Sequence, residues 1–207
     1  MKNPLLQDFN TLFDSVPFEE IKEEHFLPAM EQAIKEALQE VDQIVKQTEE
    51  PSYENTILAL EAVGRRAGRI AEVFFNLNSA ETNEQIQSIA QELSPKLSAY
   101  RNDVMLNQAL FERVKQVWDQ HEQLGLDQES SELLRKSYLG FARNGALLND
   151  AQKEELRALD EKLARLSLSF GENLLAETNA YELYLNEDNL RGLPESLKEQ
   201  AQEEAKA

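Results

Sequence analysis

The chain has 207 residues, 41% of them apolar, which is enough for one domain or a small pair and for a sizeable enclosed core. Its 7 Gly and 6 Pro are roughly half the usual share of about 12%, and because turns depend on these two residues a β sandwich or barrel is disfavoured. With 21 Lys and Arg against 39 Asp and Glu the net charge is −18; such a field repels phosphates, so neither nucleic acid nor an anionic membrane surface is an expected partner.

After Pro17, the segment from Pro28 carries Met30, Ile34, Leu38, Val41 and Val45, one stripe of a helix that runs to about Thr48 before Pro51 stops it. A second helix is expected from about Asn55 to Ser79 on the stripe Ile57, Leu60, Val63, Ala67, Ile70, Phe74 and Leu77. Gly64 and Gly68 lie one turn apart along it, which predicts a close helix–helix approach there. Thr82 is placed to cap a third helix bearing Ile86, Ile89, Leu93, Leu97, Tyr100 and Val104, with a kink at Pro95. Leu110, Phe111, Val114, Val117 and Trp118 mark a fourth, ending near Gly125. The fifth starts near Gln128, carries Leu134, Tyr138 and Phe141, and stops at Asn144-Gly145. Asn149 or Asp150 then caps a long sixth helix with the stripe Leu156, Leu159, Leu163, Leu166, Phe170 and Leu174, in which Gly171 is a weak point.

The pattern changes at Tyr181-Glu182-Leu183-Tyr184-Leu185, whose alternation predicts the one credible strand, although a lone strand needs a partner. Pro194 opens a last amphipathic stretch with Leu197, Ala201 and Ala205, and the sequence ends inside it, which reads as a cut chain. No solenoid repeat and no low-complexity linker interrupts the chain. The expected fold is therefore all-α with at most one short strand, a single multi-helix domain over residues 1–207.

Chemistry is sparse. Cys is absent, so disulfides, thiolate zinc sites and cysteine nucleophiles are excluded. The first residues lack the apolar run of a secretory leader, and no stretch approaches the roughly 18–20 apolar residues that span a bilayer; a soluble, cytoplasmic protein is the expectation. Of the two histidines, His25 has no second His one turn away, and His121-Glu122-Gln123-Leu124-Gly125 opens like an HExxH zinc motif but puts Gly125 where the second ligand belongs. His121 is therefore read as a surface residue near a helix C-terminus. Neither His follows a Glu by three positions, so the ligand pattern of di-iron bundles is missing too. Glu19, Glu20, Glu23 and Glu24 read as a solvated face. Arg65, Arg66 and Arg69 form the one basic island, able in principle to grip a carboxylate or phosphate but expected to make local salt bridges. Phe74, Phe111, Trp118, Tyr138, Phe141 and Phe170 fall on apolar stripes and are expected in the core.

Several strings nevertheless resemble one family in its order. They are Asn3-Pro4-Leu5-Leu6, Pro17-Phe18, His25-Phe26-Leu27-Pro28-Ala29, Asn55-Thr56-Ile57-Leu58-Ala59-Leu60-Glu61, Val73-Phe74-Phe75-Asn76-Leu77 and Ala80-Glu81-Thr82-Asn83. Further on come Leu110-Phe111-Glu112-Arg113-Val114, Leu124-Gly125-Leu126-Asp127, Phe141-Ala142-Arg143-Asn144-Gly145-Ala146, Asn173-Leu174-Leu175 and Gly192-Leu193-Pro194-Glu195-Ser196. On these the chain resembles the thimet-oligopeptidase-like zinc metallopeptidases, the peptidyl-dipeptidase branch more than the oligopeptidase A branch. The resemblance implies a two-lobed helical enzyme that cuts short unfolded peptides in a deep channel, at a zinc held by HExxH and a later Glu. Those ligands belong to the family's C-terminal half. What is implied here is an N-terminal part that forms one channel wall and packs on the rest of its own polypeptide, with the catalytic zinc domain outside the chain. No catalytic, cofactor-binding or metal residue is carried over, and zinc is expected in the full-length protein only. The alternative is a stand-alone helical interaction module without activity.

Overall fold

The computed structural model describes residues 3–186 and 188–205. Among them there are helices and turns but no strand, as the helical stripes predict. The chain divides into two compact units, Met1–Ser169 and Phe170–Ala207.

In the first unit, helix α1 spans Phe26–Val45. Its fully buried face holds Ala29, Ala33 and Ala37 beside Phe26, Met30, Val41 and Ile44. A row of alanines one turn apart lets neighbouring helices approach closely, and α1 packs on both α3 (Arg65–Ala80) and α4 (Glu84–Met105). The stripe of larger aliphatics in the sequence therefore flanks the tightest contact; Ile34 and Leu38 are only half-buried.

The single helix expected from Asn55 is broken. Ser52 and Asn55 cap each other: the Asn55 N–H donates to Ser52 Oγ (3.1 Å) and the Ser52 N–H to Asn55 Oδ1 (2.8 Å). A wide helical turn over Tyr53–Leu58 follows, then the short helix α2, Ala59–Ala62. At Gly64 the backbone turns left-handed (φ 69°), and a Cβ there would run into the Tyr100 hydroxyl. The close approach expected at the glycine pair thus exists at Gly64, whereas Gly68 faces open space. Asn83, not Thr82, caps α4; its Oδ1 accepts from the Gln85 and Ile86 N–H groups at 2.9 and 3.0 Å. α4 continues across Pro95.

Helix α5 (Gln108–Asp119) is capped by Asn107 and α6 (Gln128–Arg143) by Asp127. The Ser130 N–H, donating at 2.7 Å, holds the Asp127 carboxyl below its usual range. α6 stops where predicted, at Asn144, with Gly145 at φ 98°. Two apolar clusters result. One joins Leu5, Phe26, Met30, Ile70, Phe74 and Leu93, with Phe26 edge-on to Phe74 at 5.1 Å. The other joins Val41, Ile57, Leu110, Phe111, Val114, Leu134 and Phe141.

Helix α7 runs over Asp150–Ala180, with Asn149 and Gln152 capping each other. Its inward residues are Lys153, Leu156 and Leu168, the last on the first cluster. The stripe expected to be core is turned away: Leu159, Leu163 and Leu166 are 57, 62 and 56% exposed. Phe170, at 70%, is likewise not a core residue.

The second unit holds the end of α7 and helix α8, Glu195–Glu204. Residues 181–186 form no strand. Their alternation is that of a strand, but no other strand exists among the described residues to supply a hydrogen-bonding edge, and Tyr181, Leu183 and Tyr184 are exposed.

Candidate functional site

The basic island does converge with acids. Between α1 and the start of α3 lies a cleft of about 370 Å³, floored by Ala33, Ala37 and Ala62 and rimmed by Asp8, Glu36, Glu40, Arg65, Arg66 and Arg69. The left-handed turn at Gly64 aims the first turn of α3 across α1, and the Gly64 N–H donates to Glu40 Oε2 at 2.8 Å. Arg66 pairs with Glu36; a hydrogen bond from Gln32, aided by the Arg66 charge, lowers the Glu36 carboxyl below its usual range. Arg69 is held differently. Its Nη2 donates to the Gln7 carbonyl at 2.8 Å and its guanidinium lies over the Phe9 ring at 4.1 Å, which leaves Nε buried without an acceptor. Among the described residues Arg65 makes no ion pair. Local salt bridging therefore describes Arg66 alone. With three guanidiniums against three carboxylates, the rim is close to neutral.

Two buried cations were not legible as sites. Arg113, 8% exposed, donates to the carbonyls of Gln47 and Glu49 at 3.3 Å and to Asn55 Oδ1 at 3.2 Å, tying α5 to the segment that follows α1. Lys153 donates to Gln108 Oε1 at 2.9 Å and to the Leu106 carbonyl at 3.3 Å. Arg113 lies three residues after Leu110 and next to Val114, and a cation inside an apolar stripe is the signal that finds it. Both hold helix termini and linkers, a structural duty.

The histidines are engaged singly. His25 Nδ1 accepts the Lys22 N–H at 3.0 Å. His121 sits in a turn of 3-10 helix beyond α5 rather than on the helix; its ring stacks on Trp118 at 4.3 Å and its Nδ1 donates to the Trp118 carbonyl at 2.7 Å. Trp118 stacks in turn on Tyr138 at 5.0 Å. Glu19, Glu20 and Glu24 are exposed, and Glu23 accepts from Asn83 Nδ2 at 2.6 Å.

No family model matches the chain. Individual relatives do. Dipeptidyl carboxypeptidase of Salmonella typhimurium is 36% identical over 94% of this chain and 29% of its own length. The Escherichia coli protein of that name is 34% identical over 89% and 27%, and oligopeptidase A of Haemophilus influenzae 28% over 100% and 30%. The chain is an N-terminal part of a thimet-oligopeptidase-like protein. It spans about 30% of the length of these relatives.

For a thimet-oligopeptidase-like chain the residues can be tested against the zinc that the resemblance implies. They do not fit it. Catalytic zinc takes about three side-chain ligands, and no three of His, Cys, Asp and Glu converge among the described residues. At His121 the helical geometry of HExxH is also lost, because α5 ends at Asp119 and Gly125 stands at φ 62°.

Proposed function

We propose that this chain is the wall-forming N-terminal part of a longer peptidase that releases dipeptides from the C-termini of short, unfolded peptides. The observation that carries the reading is the 36% identity to a dipeptidyl carboxypeptidase over 94% of the chain. In this reading the chain supplies no catalytic or metal residue; zinc and the groups that activate water belong to the polypeptide outside it. The scaffold suits a wall, with helices fixed by two apolar clusters and a cleft whose rim is close to neutral. A net charge of −18 makes nucleic acid an unfavourable partner, and no helix among the described residues is long and apolar enough to cross a membrane. A cytoplasmic site of action is part of the proposal.

A dipeptide-releasing enzyme must recognise the free carboxylate two residues beyond the cut, which calls for a cationic or hydrogen-bond-donating group there; an internally cutting oligopeptidase need not. The test gives the full-length gene product, with zinc, paired peptides of one sequence, one with a free C-terminus and one amidated, and identifies the products by mass. Stepwise loss of dipeptides from the free acid alone is expected. Equal rates with internal cuts would overturn the dipeptidase assignment, and no cleavage of either peptide would overturn the peptidase reading. A gene that stops directly after Ala207 would favour the stand-alone interaction module.

A further inference from the structure

The cleft between α1 and the start of α3 holds more charge than its own pairs consume. Arg66 is taken by Glu36, and the Gly64 N–H takes only one oxygen of Glu40, Oε2. Arg65 and Asp8, both exposed on the rim, make no ion pair among the described residues. Arg69, which also lines the cleft, keeps a buried Nε–H without an acceptor, although buried donors in folded proteins nearly always find one. Hydrogen-bonding capacity of both signs is therefore left over around one cavity.

The cavity is built to keep its form. Its floor includes Ala33 and Ala37, each 1% exposed, on the face of α1 that packs against α3 and α4, while the left-handed turn at Gly64 and the Arg66–Glu36 pair fix its rim. At about 370 Å³ it falls within the range of roughly 300–1,000 Å³ that small-molecule sites occupy. Charge then chooses among small ligands. A free anion has to enter the field of a chain carrying −18, and a simple cation is drawn to acids all over the surface, with no reason to prefer this cleft. A molecule with one carboxylate and one ammonium has no net charge to be repelled, and it uses both kinds of unspent group.

We propose that this cleft binds a small zwitterion, a free α-amino acid or a dipeptide, whose carboxylate is gripped by the Arg65 guanidinium and whose ammonium is held by Asp8 and the second oxygen of Glu40. A guanidinium takes a carboxylate through two parallel N–H···O bonds, so Arg65 supplies the orientation and the acids the second anchor.

The test is calorimetric titration of the full-length gene product with four probes: alanine, alanylalanine, N-acetylalanine, which keeps only the carboxylate, and alaninamide, which keeps only the ammonium. Arg65→Ala and Asp8→Asn remove one anchor each, and Arg135→Ala, whose partner Glu132 lies with it on α6, is the control; circular dichroism checks that all three fold. A saturable site is expected for the zwitterions, weakened at least about tenfold by either cap and by either cleft substitution, and unchanged in Arg135→Ala. Tighter binding of alanylalanine than of alanine assigns the site to dipeptides, and the reverse order assigns it to free amino acids. No saturable binding at about 10 mM would overturn the proposal. So would capped probes that bind as tightly as the zwitterions, Arg65→Ala without effect, or an equal loss in Arg135→Ala, which would mark a general effect of charge. Binding is read without hydrolysis: a cleft that binds in a product without peptidase activity sinks the functional reading alone, and an active peptidase whose binding ignores Arg65 sinks this proposal alone.

Discussion

Helices α5 and α7 carry apolar stripes with helical spacing and meet opposite fates. Leu110, Phe111, Val114 and Val117 of α5 are buried among α1, α6 and the turn at Tyr53–Leu58, whereas Leu159, Leu163 and Leu166 of α7 face water. Spacing alone does not separate them. A 3-4 rhythm states that a helix has an apolar face and says nothing about what lies against it. The difference lies in the neighbours: α5 is hemmed in by α6 and α1, while within the first unit α7 turns inward little beyond Lys153, Leu156 and Leu168 among its long side chains.

Truncation of one side chain on each helix sharpens this contrast most. Phe111→Ala should destabilise the chain by about 3–5 kcal/mol through the cavity it leaves, and Leu163→Ala by no more than about 0.5 kcal/mol, read from urea denaturation followed at 222 nm. Equal losses would mean that α7 is covered within this chain. Next in size is Arg113→Ala, which leaves the Gln47 and Glu49 carbonyls and Asn55 without their buried donor; a loss of about 1–3 kcal/mol is expected in the same assay. The glycines form a third pair. Gly64→Ala should cost about 1–3 kcal/mol, since φ is positive and Tyr100 occupies the space. Gly171→Ala, in an open stretch of α7, should instead stabilise by up to about 1 kcal/mol.

A smaller effect depends on pH. Because the Ser130 N–H lowers the Asp127 carboxyl, this cap stabilises α6 above the ordinary carboxylate pKa of about 4 and is lost as pH falls through the lowered value. Asp127→Ala should therefore reduce Tm at about pH 7, and the gap to the parent should shrink as pH falls below the ordinary carboxylate range. A gap that widens on acidification would contradict this assignment. Least of all, moderate salt should raise Tm by screening the −18 charge; a flat or falling response counts against self-repulsion as a destabilising term.

Much of the helical frame was legible because stripes, caps and stops are local. Asn144-Gly145 and the start of α6 near Gln128 follow from capping chemistry visible in the sequence. What escaped depends on partners distant in the chain. At the break, the space that a Cβ on Gly64 would need is filled by Tyr100, 36 residues away; the Ala29, Ala33 and Ala37 row matters only because α3 and α4 press against it; and residues 181–185 alternate like a strand without an edge to join. At the basic island the cluster of three cations is visible in the sequence but their unequal duties are not, because Glu36, Gln7 and Phe9 assign them.

The stack of His121, Trp118 and Tyr138 has a practical consequence. Trp118 is the only tryptophan in the chain, and its indole lies where the end of α5 meets α6. Fluorescence excited near 295 nm, where indole absorbs almost alone, is therefore a local gauge of the second apolar cluster and is blind to α7. Circular dichroism, by contrast, weighs the 31 residues of α7 as heavily as any others. Melting recorded by both signals on one sample separates the fraying of an uncovered helix from the opening of the packed one, with no label attached.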